Sequence, residues 1–149
     1  MREIKFRGLT KKEGWVYGDL VHKKGIKYPI INFYTHDSFQ CCYEVAPETV
    51  GQYTGLHDKN GREIYEGDIM QTSTLKAVVE IGKYTPKVLQ DWADDELLRD
   101  DLGLYGVYAK GLKRGFEYFI PINGTGYEVI GNIHDNPELL KESEYNEKL

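Results

Sequence analysis

The sequence predicts a mainly β fold, an SH3-like β-barrel with extra hairpins and one or two short helices. Three observations carry that expectation. Twelve tyrosines and sixteen glycines stand against two methionines in 149 residues, and aromatic residues suit pleated surfaces while glycine punctuates them. Asn60-Gly61 supplies the two residue types most tolerant of positive φ, as a two-residue type I′ hairpin turn demands. Finally, Glu66-Gly67-Asp68-Ile69 is a Gly-Asp-hydrophobic step, where a tight bend sends the next residue into a core. At 149 residues the chain fits a single domain spanning 1–149.

Each element follows from local pattern. Glu3 to Arg7 alternates Ile4 and Phe6 with charge, as a strand with one buried face does. Lys11-Lys12-Glu13-Gly14 is a turn, and Trp15 to Val21 a second strand. Tyr28 to Phe33 and Cys41 to Val45 read as the next two strands. Pro47-Glu48-Thr49 then opens a turn or a short helix, proline fitting the first position of either. The hairpin around Asn60-Gly61 follows, with Ile64, Tyr65 and Ile69 as β-formers on its outgoing arm. Leu75 to Ile81 is strand-like through Ala77, Val78, Val79 and Ile81. Leu89 to Leu104 is the internal helix candidate, with Trp92, Leu97, Leu98 and Leu102 on one face and Asp91, Asp94, Asp95, Glu96, Asp100 and Asp101 on the other. Leu104 to Ala109 and Phe116 to Ile122 form a hairpin across a basic loop, Gly111-Leu112-Lys113-Arg114-Gly115. Tyr127 to Ile133 is the last strand. Asn136-Pro137 starts a short helix to about Glu142, and Ser143 to Leu149 is expected to fray. Trp15-Val16-Tyr17-Gly18-Asp19-Leu20 echoes Ile64-Tyr65-Glu66-Gly67-Asp68-Ile69, so two related, intertwined β-units within the domain are the alternative organisation.

Three blocks carry a family resemblance. Tyr53-Thr54-Gly55-Leu56, Asp58-Lys59-Asn60-Gly61 and Glu63-Ile64-Tyr65-Glu66-Gly67-Asp68-Ile69 resemble the central signature of the YopX family of phage and prophage proteins. Ile4-Lys5-Phe6-Arg7-Gly8 with Gly14-Trp15-Val16-Tyr17-Gly18-Asp19-Leu20 is similar to its opening. Val129-Ile130-Gly131-Asn132-Ile133 with Asn136-Pro137-Glu138-Leu139-Leu140 is similar to its close. The resemblance implies a mainly β protein with an SH3-like barrel, carried by phages or prophages of Gram-positive bacteria, with no established activity. It implies no catalytic residues.

The chemistry-bearing residues form no reaction signature. His36-Asp37, His57-Asp58 and His134-Asp135 fall in expected turns, where neighbouring side chains diverge and aspartate bonds its own backbone. The resemblance sets a lysine-like residue at position 57 and a tyrosine-like one at 134, against a metal role. No phosphate loop, His-Glu-x-x-His or nucleophile elbow occurs, so no catalytic residue, metal or cofactor is assigned. An enzyme would need Asp19, Asp58 and Asp68 to converge on one cleft. Adjacent Cys41 and Cys42 read as reduced thiols, because a bridge between neighbours is strained. Asn123-Gly124-Thr125 reads as a turn. With neither an apolar run of membrane length nor a signal peptide, the expectation is a protein of the bacterial cytoplasm that avoids membranes.

A net charge of −5 opposes broad nucleic-acid binding, which depends on lysine and arginine neutralising phosphates. Two basic segments remain, Lys23-Lys24-Gly25-Ile26-Lys27 and Lys110-Gly111-Leu112-Lys113-Arg114-Gly115. The candidate binding residues are therefore Trp15, Tyr17, Tyr53 and Tyr65, as an aromatic face, with Lys110, Lys113 and Arg114. The expected function is that of a non-catalytic phage or prophage accessory protein acting through protein contacts, with a host or phage protein as partner, and self-association into a homo-oligomer. The alternative is a nucleic-acid-binding module that uses the basic loops and neighbouring aromatics.

Overall fold

A computed structural model of the chain describes residues 3–73, 75–84, 104–113, 116–121 and 126–140; of residues 84, 104, 112, 113 and 116–121 it describes the backbone alone. The strands are β1 Phe6–Leu9, β2 Trp15–Val21, β3 Ile30–Tyr34, β4 Gln40–Glu44, β5 Gly51–His57, β6 Glu63–Tyr65, β7 Asp68–Gln71, β8 Lys76–Tyr84, β9 Leu104–Lys113, β10 Phe116–Pro121 and β11 Glu128–Asn132. A 3-10 turn, Pro47–Thr49, separates β4 from β5. The expected strands all form, with ends shifted by a few residues. The acidic helix expected before Leu104 and the tail after Ser143 lie outside the described residues. Backbone contacts divide the chain into two compact units, Met1–Gly55 and Leu56–Leu149.

In the first unit, antiparallel strands follow the order β4-β3-β2-β1-β5. Strand β2 pairs with β1 through Trp15–Gly18 and with β3 through Asp19–Val21, so it changes partners at Gly18. A Cβ at Gly18 would collide with the Asn32 carbonyl, and glycine lets the two backbones approach there. Gly18-Asp19 thus lies within β2, whereas in the echo Glu66-Gly67 forms the turn and Asp68 opens β7. Val16, Ile31 and Val45 make the core, packed by Phe6, Leu20, Phe33, Tyr43 and Val50. Phe33 and Tyr43 stack at 5.8 Å, and the Arg7 guanidinium lies 4.9 Å from the Trp15 ring, within cation-π range.

In the second unit, β10-β9-β8-β7-β11 form an antiparallel sheet over a core of Ile64, Met70, Ala77, Val79, Ala109 and Val129. Strand β6 follows β5 across the 58–62 turn and pairs with it. The mainly β expectation holds, and neither sheet closes into a barrel through the described pairings. Strand β9 runs to Lys113, four residues beyond the expected strand end, and Lys110 faces Val78 and Phe119 in the ladder. Lys110 is therefore a strand residue and not part of a basic loop. The Lys113 side chain and all of Arg114 lie outside the described residues.

Three side-chain clamps hold the turns. Asp58 is 6% exposed; its Oδ1 accepts from the Asn60 and Arg62 N–H groups at 2.9 Å, and its Oδ2 from Val129 N–H at 3.0 Å. Asp58 N–H donates to Arg62 O, and Gly61 N–H to Asp58 O. Gly61 has φ +81, while Asn60 has no positive φ. The hairpin is present, but as a turn over Lys59-Asn60 followed by a left-handed glycine rather than a type I′ pair, because the Asp58 carboxylate draws the intervening amides inward. Asp68, 2% exposed, accepts from Tyr65 N–H at 2.8 Å and closes the next turn around Gly67, φ +88. Asn132 Oδ1 accepts from the His134 and Asp135 N–H groups, and its Nδ2 donates to Asp135 Oδ2. Asn136 Oδ1 accepts from Asn132 N–H. One helical turn follows at Glu138 to Leu140, with Leu139 N–H donating to Asn136 O.

Burial alone raises the Asp58 pKa, but the Val129, Arg62 and Asn60 amides and then the Arg62 charge outweigh it and hold the carboxyl below its ordinary value. A lowered folded pKa adds stability above the unfolded Asp pKa of about 3.9, and that stability is lost as pH falls through the lower folded value. Asp58→Asn turns an amide NH2 toward a backbone donor, and is expected to cost about 1–3 kcal/mol at neutral pH and to flatten the acid limb of stability; urea titrations between pH 2 and 7 check both. Ser38, φ +65, sits at the β3–β4 hairpin tip in a left-handed conformation that costs a non-glycine residue about 1 kcal/mol. Ser38→Gly is therefore expected to raise the thermal midpoint, read by calorimetry.

Candidate functional site

A concave feature lies in the first unit. The β1–β2 loop forms one wall and the chain from β4 into the 3-10 turn forms the other. Thr10 N–H and Oγ1–H both donate to Gly14 O, and Glu13 N–H donates to Thr10 Oγ1, which fixes the loop. Opposite, Ala46 N–H donates to Leu9 O at 3.0 Å. The Thr49 hydroxyl donates to Ala46 O at 2.7 Å and accepts from Leu9 N–H at 2.9 Å. Thr49 is 5% exposed, so a single buried hydroxyl ties both walls together.

Between them runs a cleft of about 620 Å³, within the range of small-ligand and peptide sites. Leu9, Tyr28, Tyr43, Val45, Ala46 and Pro47 supply its apolar surface. Its rim carries Lys11 and Lys12 against Glu13, Glu44 and Glu48. An apolar trough with charges of both signs around it suits a protein segment better than a polyanion, which the three carboxylates repel. Gly8 keeps the floor close, since a Cβ there would meet the Val45 side chain at 2.6 Å.

The sequence-predicted residues lie elsewhere. Trp15 is half-buried beneath Arg7, and Tyr17 is exposed. Tyr53 and Tyr65 are each 3% exposed; Tyr53 lies 5.1 Å beneath Lys5 Nζ, and the Tyr65 hydroxyl donates to Glu63 Oε2. These two rings are core residues, and offer no face to a ligand. Lys110 is half-buried. Asp19 is exposed on β2, while the Asp58 and Asp68 carboxylates accept backbone N–H bonds. Among the described residues no group of three or more His, Cys, Asp or Glu is arranged to hold a metal ion. Cys41 and Cys42 are free thiols. No helix among the described residues is long and apolar enough to cross a membrane.

No local sequence pattern marks the cleft. Its walls are about thirty residues apart in sequence, and the signal that unites them is a buried Thr49 beyond Pro47, which no local pattern distinguishes from an exposed turn residue. Tyr34, Phe39 and Tyr105 are likewise exposed, which residue type alone does not signal.

The fold and cleft define a β-sheet protein whose signature residues hold turns, with a peptide-scale trough as its candidate site. The family profile described as YopX protein matches residues 5–141, and the chain belongs to that family. The crystal structure of protein EF1440 from Enterococcus faecalis is similar, with 21% identity over 94% of this chain and 99% of that one, at a TM-score of 0.39. No curated protein matches.

The geometry gives one prediction about the cleft itself. Thr49→Val keeps the volume but leaves Leu9 N–H without its acceptor, and is expected to lower stability by about 1–3 kcal/mol. Faster hydrogen exchange at the Leu9 and Ala46 amides would report the loosened walls.

Proposed function

We propose that this protein is a non-catalytic phage or prophage accessory factor of the bacterial cytoplasm that acts by binding protein through the first-unit cleft. The cleft carries the reading: apolar walls for side chains, and a rim where two lysines face three carboxylates. Family membership supports the accessory role. An SH3-like relationship remains our proposal for the fold type, supported by the change of partner within β2 at Gly18. Nucleic acid is the competing partner, and the net charge of −5 and the acidic rim weigh against it.

Tyr28 is the residue to test. It lines the cleft at 37% exposure, with Lys27 Nζ 5.2 Å from its ring. The tagged protein, incubated with lysate from phage-carrying cells, is expected to retain a protein partner with or without nuclease. Tyr28→Ala is expected to reduce that retention at least tenfold while the thermal midpoint stays within the small change usual for a surface substitution. Retention that vanishes with nuclease and falls steeply with salt would overturn the reading in favour of nucleic acid.

A further inference from the structure

Strand β4 is the outer strand of its sheet. Thr35 N–H donates to Phe39 O and Val45 N–H to Pro29 O; between them the register pairs Phe33 with Cys41 and Ile31 with Tyr43. Bonded pairs alternate along an antiparallel ladder. Phe39, Cys41, Tyr43 and Val45 therefore turn their backbone groups toward β3, and Gln40, Cys42 and Glu44 turn theirs outward. Among the described residues nothing pairs with that outward row. The side chains of Gln40, Cys42 and Glu44 are all exposed, on the face opposite the core residues Tyr43 and Val45.

We infer that a second copy of this chain completes the edge: β4 pairs antiparallel with β4 of the partner about a two-fold axis at Cys42, and each copy's Phe39 seats against the other's cleft wall. The inference rests on the protein-contact reading above and names the first occupant of the same site. Its support is self-complementarity, the requirement of a two-fold interface. In this register Cys42 faces the partner's Cys42 and Gln40 faces the partner's Glu44. All three outward residues then give and accept backbone bonds, and no carboxylate meets another. A register shifted by two residues loses bonds, and one shifted by four sets Glu44 against the partner's Glu44.

The same pairing explains an exposed ring. Phe39 is 71% exposed, at the tip that leads into β4. With Cys42 on the axis, Phe39 stands opposite the partner's Val45, and strand alternation puts it on the face that carries the partner's Tyr43. Tyr43 and Val45 both line the cleft. An uncovered aromatic ring and an apolar trough thus meet through one symmetry operation.

Sedimentation equilibrium of the full chain from micromolar to millimolar concentration tests this. A reversible dimer is expected. Gln40→Lys places a cation opposite the partner's Glu44 twice by symmetry and should tighten the dimer about three- to tenfold, while Gln40→Glu should loosen it by a similar factor. Cys42→Pro removes an outward N–H that proline tolerates losing on an edge strand, and should leave a folded monomer, as circular dichroism checks. A short bismaleimide should link two copies through Cys42 and still do so in Cys41→Ser, but not in Cys42→Ser. A monomer throughout the range, or a dimer indifferent to both Gln40 changes, overturns the inference. If Tyr28→Ala still abolishes capture of a different protein by that monomer, the protein-contact reading stands while this one falls.

Discussion

The carboxylate of Asp58 organises the second unit. Its two oxygens accept three backbone amides, two from the turn that follows it and one from Val129, 71 residues further on. A carboxylate is the only small side chain that presents enough lone pairs for this and gains strength from its charge. Burial costs the charge solvation, and the amides together with Arg62 return more than that cost, as the lowered pKa records. The bulge in β11 between Val129 and Gly131 sits where Val129 directs its N–H to Asp58, and the extra residue there lets the strand resume its pairing with β7.

The other signature residues work in the same manner. Asp68 holds the turn before β7; Gly67 N–H donates to Val79 O, and Gly67 O accepts from Ile133 N–H. Asn132 and Asn136 bond each other's segment, and a Cβ at Gly131 would strike the Asn136 amide. Asp58, Asp68 and Asn132, polar residues within the sequence motifs, hold turns in three dimensions. In this chain the signature residues close turns, and the candidate binding surface lies in a stretch, Leu9–Glu13 with Tyr43–Glu48, that the recognisable motifs mostly leave aside.

This explains what the sequence could and could not reveal. Strands were legible from alternation and from glycine punctuation, since those follow local backbone preference. The hairpin at Asn60-Gly61 was legible but its turn type was not, because Asp58, outside the dipeptide, chooses the geometry. Tyr53 and Tyr65 suggested a ligand face by residue type, yet burial depends on which strand covers them, a non-local fact. Lys110 in a basic run suggested a loop, and its ladder partners Val78 and Phe119 make it part of a strand. The cleft was illegible because Thr49 reaches Leu9 across forty residues, and nothing within either segment encodes the other.

The bond from Val129 to Asp58 also closes a long loop of chain. The entropy of closing such a loop grows only with the logarithm of its length, so doubling the intervening segment costs about 0.6 kcal/mol. The segment between the two pins carries β6 to β10, so insertions and deletions come at small thermodynamic expense only in the connections between those strands, where no ladder pairing is lost. Asp58 is fixed by geometry, and the length of those connections is left open to evolution.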